Sequence, residues 1–404
     1  MISTTHDIYS DPDVPNSLGS FEGMTTDIWP PVAPSATHVS AFERLGQLLP
    51  GLLLAAGVAW LGAYLSQWVG VSVLGLERSP ISGLMMAICV GLVVRNALGL
   101  PTVYTPGIRI CVSLILRLGV ALLGMRLSLA IAGAIGLAAL PCAIGGVVGS
   151  LLLVSWIGRR AGLSWRLSAL IAVGTGICGV SAIVATASVV DAEEDEISYA
   201  AATITLFGMI GMMIYPFLAY SMFPLRPELA GCLMGTGIHD TAQVVAAGMI
   251  YQQLYSAPQA LNAAVVTKLM RNLCLIAAVP AVAWMHHHAH SGETNRPRLH
   301  WRKAVPLFII GFIGLVLLRS LGDAVTVGSE RIAGAWTQAV SLSQIVAGGC
   351  LALAMASVGL NTDLKRLVRL GIRPLLVGFA AALIVGLIGL ITIGLFTRFL
   401  IPVT

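Results

Sequence analysis

From about residue 47 to its C-terminus, the chain is an almost unbroken series of apolar stretches, each about 20 residues long. Hydrophobic residues make up 57% of the sequence and charged residues only 10%, whereas soluble domains carry about 25% charged residues. A membrane-spanning helix needs about 20 predominantly apolar residues. Because hydrocarbon offers the backbone no water to bind, such stretches are expected to be helical. The sequence therefore predicts an all-α polytopic membrane protein.

The apolar stretches predict about eleven crossings of the membrane. Their approximate limits are 47–69, 80–99, 106–126, 134–157, 164–190, 196–223, 227–252, 258–284, 304–321, 336–361 and 373–400. Residues 1–45 are polar and rich in Ser, Thr, Asp and Pro, and they lack the pattern of a signal peptide. We therefore expect a cytoplasmic N-terminal tail, residues 1–45, and one transmembrane domain, residues 46–404.

Lysine and arginine in short loops predict the orientation of the chain. One cluster surrounds residues 159–166, and two others lie within 296–303 and 365–373. All three fall on one side of the membrane if the N-terminus is cytoplasmic. The acidic segment 191–196 is then expected to face outward, and so is the C-terminus.

Two of the apolar stretches are interrupted by the same glycine-rich motif. Gly174–Gly179 reads GTGICG, and Gly235–Asp240 reads GTGIHD. Glycine weakens helices, and interrupted membrane segments are the best sequence indication of a transporter's binding site. Whether each segment crosses the membrane or is re-entrant stays open at this point.

Each interruption is expected to leave unbonded N–H groups at the start of the following half-helix, where an anion is favoured. We place those half-helix N-termini near the glycines of the two motifs. The substrate-binding residues predicted on this basis are Thr175, Gly176, Cys178, Ser181, Thr236, Gly237, Thr241 and Gln243.

His239 and Asp240 are the last two residues of the second motif. Asp240 fits an N-cap, and Gln243 three residues later fits the closing half of a capping box. An intramembrane carboxylate also marks ion pathways, and histidine titrates in a range suited to proton coupling. We therefore name both residues as candidates for binding a coupling ion, H⁺ or Na⁺, and the capping role of Asp240 is compatible with it.

A polar group lies near the middle of the eighth stretch. Lys268, Arg271 and Asn272 stand at i, i+3 and i+4, so they share one face of a helix. Charge at this depth is costly and normally faces a partner or a cavity. Asp240 could neutralise one cation but not two, and Arg117 in the third stretch adds to the positive excess. We therefore add these three residues to the predicted site and expect a small anionic substrate.

A short sequence repeat indicates internal symmetry. Gly124–Leu129 ends the third stretch and Gly359–Leu364 ends the tenth, and a similar Gly-, Ala- and Leu-rich stretch follows each. Seven crossings would separate the copies, so they would have opposite orientations, as in the inverted repeats of secondary transporters. The two GTG interruptions do not fit this inversion if both segments span the membrane.

Other classes of protein find little support in the sequence. It contains no GxxxxGK[ST] loop, hydrolase elbow or metalloprotease helix, so we expect no enzyme activity and no cofactor. None of the seven cysteines forms a CxxC pair, so no metal site is predicted. The net charge of +5 lies in loops and indicates topology, not a nucleic-acid partner. Besides an anion carrier, a sodium- or proton-coupled carboxylate transporter, a cation/proton exchanger, a channel and a membrane sensor stay open.

Several motifs resemble, in order, the YeiH-like sulfate exporter family of bacterial inner-membrane proteins. They are Leu116–Gly119, Gly124–Leu127, Gly174–Thr186, Glu193–Gly208, Gly235–Val245, Lys268–Leu273 and Gly359–Leu364. The resemblance implies a bacterial inner-membrane secondary carrier in the lipid bilayer, and the family's name implies export of sulfate or a related sulfur oxyanion. It supplies no residue roles. Carriers of related architecture are often dimers, so a homodimer is an open alternative for which the sequence identifies no interface.

Overall fold

A computed structural model describes residues 41–73, 75, 79, 81–187, 189–289, 307–326, 330–363 and 372–400. Within these ranges the chain is helical and has no β-strand, which confirms the all-α prediction. The helices are α1 Ala41–Gln67, α2 Gly83–Val93, α3 Thr105–Ile110, α4 Leu116–Leu122, α5 Leu129–Gly149, α6 Ser155–Arg160, α7 Trp165–Gly176, α8 Val180–Ala187, α9 Glu194–Met222, α10 Pro227–Gly237, α11 Thr241–Tyr255, α12 Pro258–Leu273, α13 Leu275–Ala289, α14 Leu307–Val325, α15 Glu330–Asn361 and α16 Ile372–Leu400. Most of the N-terminal tail and the basic loops 296–303 and 365–369 lie outside the described residues.

Short π-helical and 3₁₀ turns join some of these helices into longer spans. Thr102–Arg126 contains α3 and α4, and Leu129–Arg160 contains α5 and α6. Eight segments of the described chain are long and apolar enough to cross a membrane, and Gly83–Leu98 is a shorter apolar helix. These nine, with the two interrupted segments α7–α8 and α10–α11, account for all eleven predicted stretches. The prediction of two interrupted helices is therefore confirmed.

The first interrupted segment folds back on itself. A Cβ placed on Gly174 of α7 would lie 2.9 Å from the Cδ1 of Ile183 in α8, whereas a continuous helix would separate these residues by about 13 Å along its axis. The hydroxyl of Ser164, which caps α7, donates a hydrogen bond to Glu196 in the first turn of α9. The segment therefore enters and leaves at one membrane face and forms a re-entrant hairpin, which we call the first hairpin.

This geometry corrects the predicted position of the acidic segment 191–196. Arg166 at the start of α7 and Glu193 lie 3.7 Å apart, nitrogen to oxygen, in an ion pair. The acidic segment therefore lies at the same face as the basic cluster 159–166, not at the opposite face. The prediction was wrong because it assumed that every apolar stretch crosses the bilayer. We call this face, at which α1 also begins, the N-terminal face.

The second interrupted segment is a re-entrant hairpin from the opposite face, which we call the second hairpin. The ring of Tyr220, near the end of α9, stacks on that of Tyr255 at the end of α11, with centroids 3.8 Å apart. Gly231 of α10 and Gly248 of α11 both pack against the first turns of α12, near Ala260. The start of α10 and the end of α11 therefore lie at one depth. Their common tip is inside the protein.

The predicted inverted repeat is compatible with the observed course of the chain. Gly124–Leu129 lies where a span ends at the opposite face. The described part of the other copy, Gly359–Asp363, lies where α15 ends at the N-terminal face, and Asp363 pairs there with Arg95. The two hairpins also enter from opposite faces, and a crossing segment, α9 or α12–α13, follows each. Because both segments are re-entrant, the condition under which the GTG motifs would run parallel does not apply, and the motifs fit an inversion.

The helices pack as two groups. α1, α2, α3–α4, α14 and α15 pack mainly against one another, while the two hairpins pack with α5–α6, α9, α12–α13 and α16. Contacts of α11 with α2 and α4 link the groups. The hairpin tips therefore lie inside one group, next to the boundary with the other.

Candidate functional site

The tips of the two hairpins meet inside the protein. The first tip is the unwound segment 177–179 between α7 and α8, and the second is segment 238–240 between α10 and α11. Gly179 has a left-handed φ of +73°, which residues other than glycine rarely adopt. A Cβ there would lie 3.4 Å from Oδ1 of Asp240. Residues from both interruptions therefore surround one point.

Four predicted binding residues lie at the C-terminal ends of half-helices, whereas the sequence predicted N-terminal ends. Thr175 and Gly176 finish α7, and Thr236 and Gly237 finish α10. The ends of the two half-helices direct carbonyl oxygens, not N–H groups, toward the tip. The prediction that these four residues supply half-helix N-termini was therefore wrong, since each helix breaks only after its second motif glycine.

The motif glycines lie within the helices, where they allow neighbouring helices to pack closely. A Cβ on Gly176 would lie 2.9 Å from the Cβ of Ser150, and a Cβ on Gly237 would lie 2.3 Å from the ring of Tyr215. Such distances are too short for real side chains. The glycines thus serve helix-to-helix approach, a common use of small residues in membranes.

Arg271 connects the two hairpin tips. Its side chain is completely buried, with 0% relative exposure, and all of its described hydrogen bonds go to backbone carbonyls. It donates from Nε to Gly176 at 2.8 Å, from Nη2 to Thr175 at 2.6 Å, and from Nη1 to Gly235, Thr236 and Ile238 at 2.9, 2.5 and 3.2 Å. The guanidinium therefore satisfies carbonyls at the ends of both α7 and α10, where helix dipoles favour a cation.

Lys268 has a similar environment at the second tip. Its ammonium group is buried at 0% exposure and donates to the carbonyl of Ile238 at 3.0 Å and to that of His239. An ammonium has three N–H donors and a guanidinium five. Lys268 makes two described bonds and therefore keeps one N–H. At Arg271 three acceptors share the two N–H groups of Nη1, and Nη2 makes one described bond, so one N–H of Nη2 is left. Their predicted contact with substrate stays a prediction, but their contact with the tips is part of the structure.

Asp240 caps α11. Its Oδ2 accepts a hydrogen bond from the N–H of Ala242 at 2.8 Å, and the side chain of Gln243 accepts one from the N–H of Asp240 at 3.3 Å. This is the capping box expected from the sequence. The amide of Gln243 also donates to the carbonyl of Thr205 at 3.1 Å, so Gln243 is occupied by the scaffold. The role of Asp240 in coupling stays a prediction.

Several buried polar atoms near the tips have no hydrogen-bond partner among the described residues. They are Oγ1 of Thr175, both ring nitrogens of His239 and Oδ1 of Asn272. The His239 ring approaches the Thr175 backbone, though without full hydrogen-bond geometry. The amide nitrogen of Asn272 donates to Oγ1 of Thr241 at 3.2 Å. A buried polar group without a partner costs free energy. A ligand that bonds to these atoms would recover that cost.

The remaining predicted residues divide into two sets. Ser181 in the first turn of α8 is partly exposed, and Cys178 is buried within the first tip. The hydroxyl of Thr236, by contrast, donates to the carbonyl of Cys232 at 2.8 Å, and its methyl group lies against Gly389 of α16. The hydroxyl of Thr236 is therefore bound within its own helix, and Thr236 presents no free hydroxyl to the tip.

Sequence reasoning missed the residues that support the site through the backbone. The carbonyls of Gly235 and Ile238, the ring of Tyr215 and the carbonyl of Thr205 all contact predicted site residues. Backbone acceptors and packing partners from distant helices leave no motif that could have identified them. Among the described residues, no group of three or more His, Cys, Asp or Glu side chains could hold a metal ion.

Arg117 lies on the other helix group and faces the same region. Its guanidinium is half-buried in α4 and interacts electrostatically with Asp240. The side chain of Asp240 is partly exposed and forms no ion pair within 4.0 Å with a described residue. The tips are thus bounded by basic groups from both helix groups.

The chain resembles bacterial membrane proteins over most of its length. A family model described as "Conserved hypothetical protein 698" matches residues 50–378. A UPF0324 membrane protein of Nitratidesulfovibrio vulgaris is 29% identical over 86% of this chain and 93% of its own length. One from Corynebacterium glutamicum is 32% identical over 86% and 92%.

A further relative carries a cellular location in its name. The UPF0324 inner membrane protein YeiH of Escherichia coli is 30% identical over 85% of this chain and 93% of its own length. Its description agrees with the apolar spans and with the resemblance noted from the motifs. The chain is therefore an inner-membrane protein and belongs to the UPF0324 family, which includes YeiH.

Proposed function

We propose that this protein is a secondary transporter that carries a small anion across the inner membrane. The observation that carries the proposal is the pair of re-entrant hairpins whose tips meet at a buried point rich in basic groups. Short or interrupted segments of this kind form the substrate sites of secondary transporters.

The local charge favours an anion. In their ordinary charge states, Arg117, Lys268 and Arg271 would supply three positive charges near the tips, and Asp240 one negative charge. The C-termini of α7 and α10 each add about half a negative charge. About one positive charge is then left, before the N-termini of α8 and α11 contribute their own positive ends. A small anion would balance this excess.

The binding groups follow from what each side chain already does. The free hydroxyl of Thr175, the His239 ring and the partly exposed Ser181 and Thr241 would donate hydrogen bonds to the anion. Lys268 would add its remaining N–H. Arg271 acts mainly by fixing the two tips and by its charge, with one N–H left for the substrate.

Access to the tips requires movement. Thr175, Cys178 and His239 are buried, so a substrate cannot reach them without a change of conformation. The boundary between the two helix groups passes beside Asp240, and Arg117 faces it from the other group. Displacement of one group against the other would open the tips to each face in turn, as in alternating access.

The class of anion is a narrower proposal. The resemblance to the YeiH-like family favours sulfate or a related sulfur oxyanion, and outward transport follows from the same family's name. The test is flux in proteoliposomes with labelled sulfate, sulfite, thiosulfate and acetate, with pH and sodium gradients varied separately. Saturable flux of a sulfur oxyanion supports the proposal. Flux of a cation alone, indifferent to every anion, would contradict it.

A second candidate is coupling to, or exchange of, H⁺ or Na⁺ through Asp240. It is favoured by the lack of an ion pair within 4.0 Å between this carboxylate and a described residue, and by Oδ1 of Asn272, a second oxygen available near the tip. Asp240→Asn keeps a good N-cap but removes the charge. We expect this variant to remain folded and to lose the dependence of flux on the driving gradient. Retained gradient dependence would leave Asp240 with its capping role alone.

A further inference from the structure

A half-enclosed cavity lies away from the hairpin tips, near the opposite face. Its volume is about 170 Å³. It lies between the end of the α3–α4 span, the last turns of α11 and the middle of α15. Four polar side chains line it: Arg126, Gln252, Gln253 and Gln344. Since a cavity of about 150 Å³ admits a molecule the size of benzene, this one has room for a small oxyanion.

Among the described residues that line the cavity, Arg126 is the only charged one. In the described part of the chain, no carboxylate lies within ion-pair distance of its guanidinium. Oε1 of Gln252 is buried there and also has no partner among the described residues. The oxygen and nitrogen of a carboxamide are distinguished only by their hydrogen-bond partners. Because the Gln252 carboxamide has no such partner, it can turn its N–H groups toward an anion.

The backbone that carries Arg126 is firmly held. Arg319 of α14 donates to the carbonyl of Met125 at 3.2 Å, and Ser320 accepts from the N–H of Leu129 at 2.6 Å. A Cβ on Gly124 would lie 2.4 Å from the carbonyl oxygen of Phe312, so α14 packs directly on this turn. The position of Arg126 at the cavity is thus built into the fold.

Two helical segments connect the cavity with the region of the tips. Helix α11 begins at the second tip and carries Gln252 and Gln253 near its other end, about 18 Å away along its axis. Arg117 lies nine residues before Arg126 in the same span, about 13 Å nearer the middle of the membrane. On its other side, Gln253 also lines a larger cavity of about 560 Å³ between the end of α1 and the start of α2.

We propose that this cavity is a second binding subsite for a small oxyanion, occupied as the substrate enters or leaves at the opposite face. Arg126 supplies the charge, and the carboxamides of Gln252, Gln253 and Gln344 supply hydrogen bonds. The identity of the ligand rests on the proposed anion transport. The presence of a cavity lined by a basic side chain does not depend on that proposal.

Site-directed labelling tests the subsite without depending on transport. Gln253→Cys in the full chain, reconstituted in nanodiscs, is modified with an anionic sulfonate and a cationic trimethylammonium thiosulfonate reagent. The seven native cysteines are buried or half-buried, and the unsubstituted protein gives the background. Arg126→Gln is added as the test, and Arg226→Gln as the control, because Arg226 is exposed at the same face and does not line the cavity.

We expect Arg126→Gln to lower the ratio of anionic to cationic modification rates by about tenfold or more, as loss of one nearby charge implies. Arg226→Gln should change the ratio less than about twofold, because exposed charges are screened. Sulfate should slow modification of Gln253→Cys and lose this effect when Arg126→Gln is present. An unchanged ratio, or equal effects of the two arginine variants, would overturn the subsite.

Flux measurements separate this proposal from the previous one. A protein that moves no anion, yet shows the charge preference and the protection by sulfate, would refute anion transport and keep the subsite. A protein that transports sulfate with an unchanged KM from the opposite face in Arg126→Gln would keep the function and refute the subsite.

Discussion

Replacement of Arg271 tests whether one side chain holds the two hairpin tips together. The guanidinium donates to five carbonyl oxygens, two on the first hairpin and three on the second. In Arg271→Met all five lose a charged donor inside the protein. Arg271→Lys keeps the charge, but a single ammonium nitrogen cannot reproduce a planar fork that reaches both helix ends.

The size of the effect follows from the burial of the group. A buried acceptor left without a donor costs about 1–3 kcal/mol, and loss of one partner from a buried ionic contact costs about 3–5 kcal/mol. Relaxation of the tips limits the sum, so we expect Arg271→Met to lose about 3–5 kcal/mol of stability. Arg271→Lys should recover less than half of this loss.

The assay is thermal unfolding of the purified protein in detergent. At about 2–4 °C for each kcal/mol, Arg271→Met should lower the midpoint by about 6–20 °C. Arg226→Met, which removes an exposed arginine, is the control and should shift the midpoint by less than about 2 °C. Full rescue by lysine would show that charge alone matters, and an unchanged midpoint in Arg271→Met would refute the bridging role.

Two further predictions use matched positions in the structure. Thr175→Val should raise the KM for the anion in sulfate flux by about fivefold or more, because the Thr175 hydroxyl is buried without a partner among the described residues. The control Thr236→Val should leave KM within about twofold, because the Thr236 hydroxyl bonds to its own helix. Equal KM values in the two variants would remove Thr175 from the site. Gly237→Ala should lower the unfolding midpoint, because the new Cβ would lie 2.3 Å from the Tyr215 ring. The control Gly133→Ala should not lower it, because a Cβ at Gly133 has no atom within 4 Å. A midpoint unchanged in both variants would contradict the close packing of α10.

The sequence was sufficient to locate the helical segments and the two interruptions. The glycine clusters marked the two interruptions, although each helix breaks only after its second motif glycine. The spacing of Asp240 and Gln243 identified the capping box. The shared face of Lys268 and Arg271 also followed from helical periodicity, and both do point at the tips. These features are local, so they depend only on residues close in sequence.

The fold-back of the hairpins could not be derived in this way. An apolar stretch has the same composition whether it crosses the membrane or returns to the same face. α7 has 12 residues and α8 has 8, so neither half is long enough to cross by itself. The acidic segment 191–196 gave no warning, because acidic residues contribute little to orientation.

The partners of the buried cations were also beyond the sequence. We expected Lys268 and Arg271 to face substrate, but most of their donors bind backbone carbonyls. Every residue has a carbonyl, so no pattern reveals which ones converge. The cavity at Arg126 depends similarly on three segments that are distant in sequence.

Labelling of four engineered cysteines from one side of the membrane tests the re-entrant hairpins most directly. Ala161 and Asp195 are exposed at the two ends of the first hairpin, and Arg226 and Gln259 at those of the second. Each is changed to Cys and treated in intact cells with a membrane-impermeant thiol reagent, with permeabilised cells as the reference. We predict that Ala161→Cys and Asp195→Cys behave alike, and that Arg226→Cys and Gln259→Cys behave alike with the opposite accessibility. Different accessibility within either pair would show that its segment crosses the membrane and would contradict the meeting of two hairpin tips.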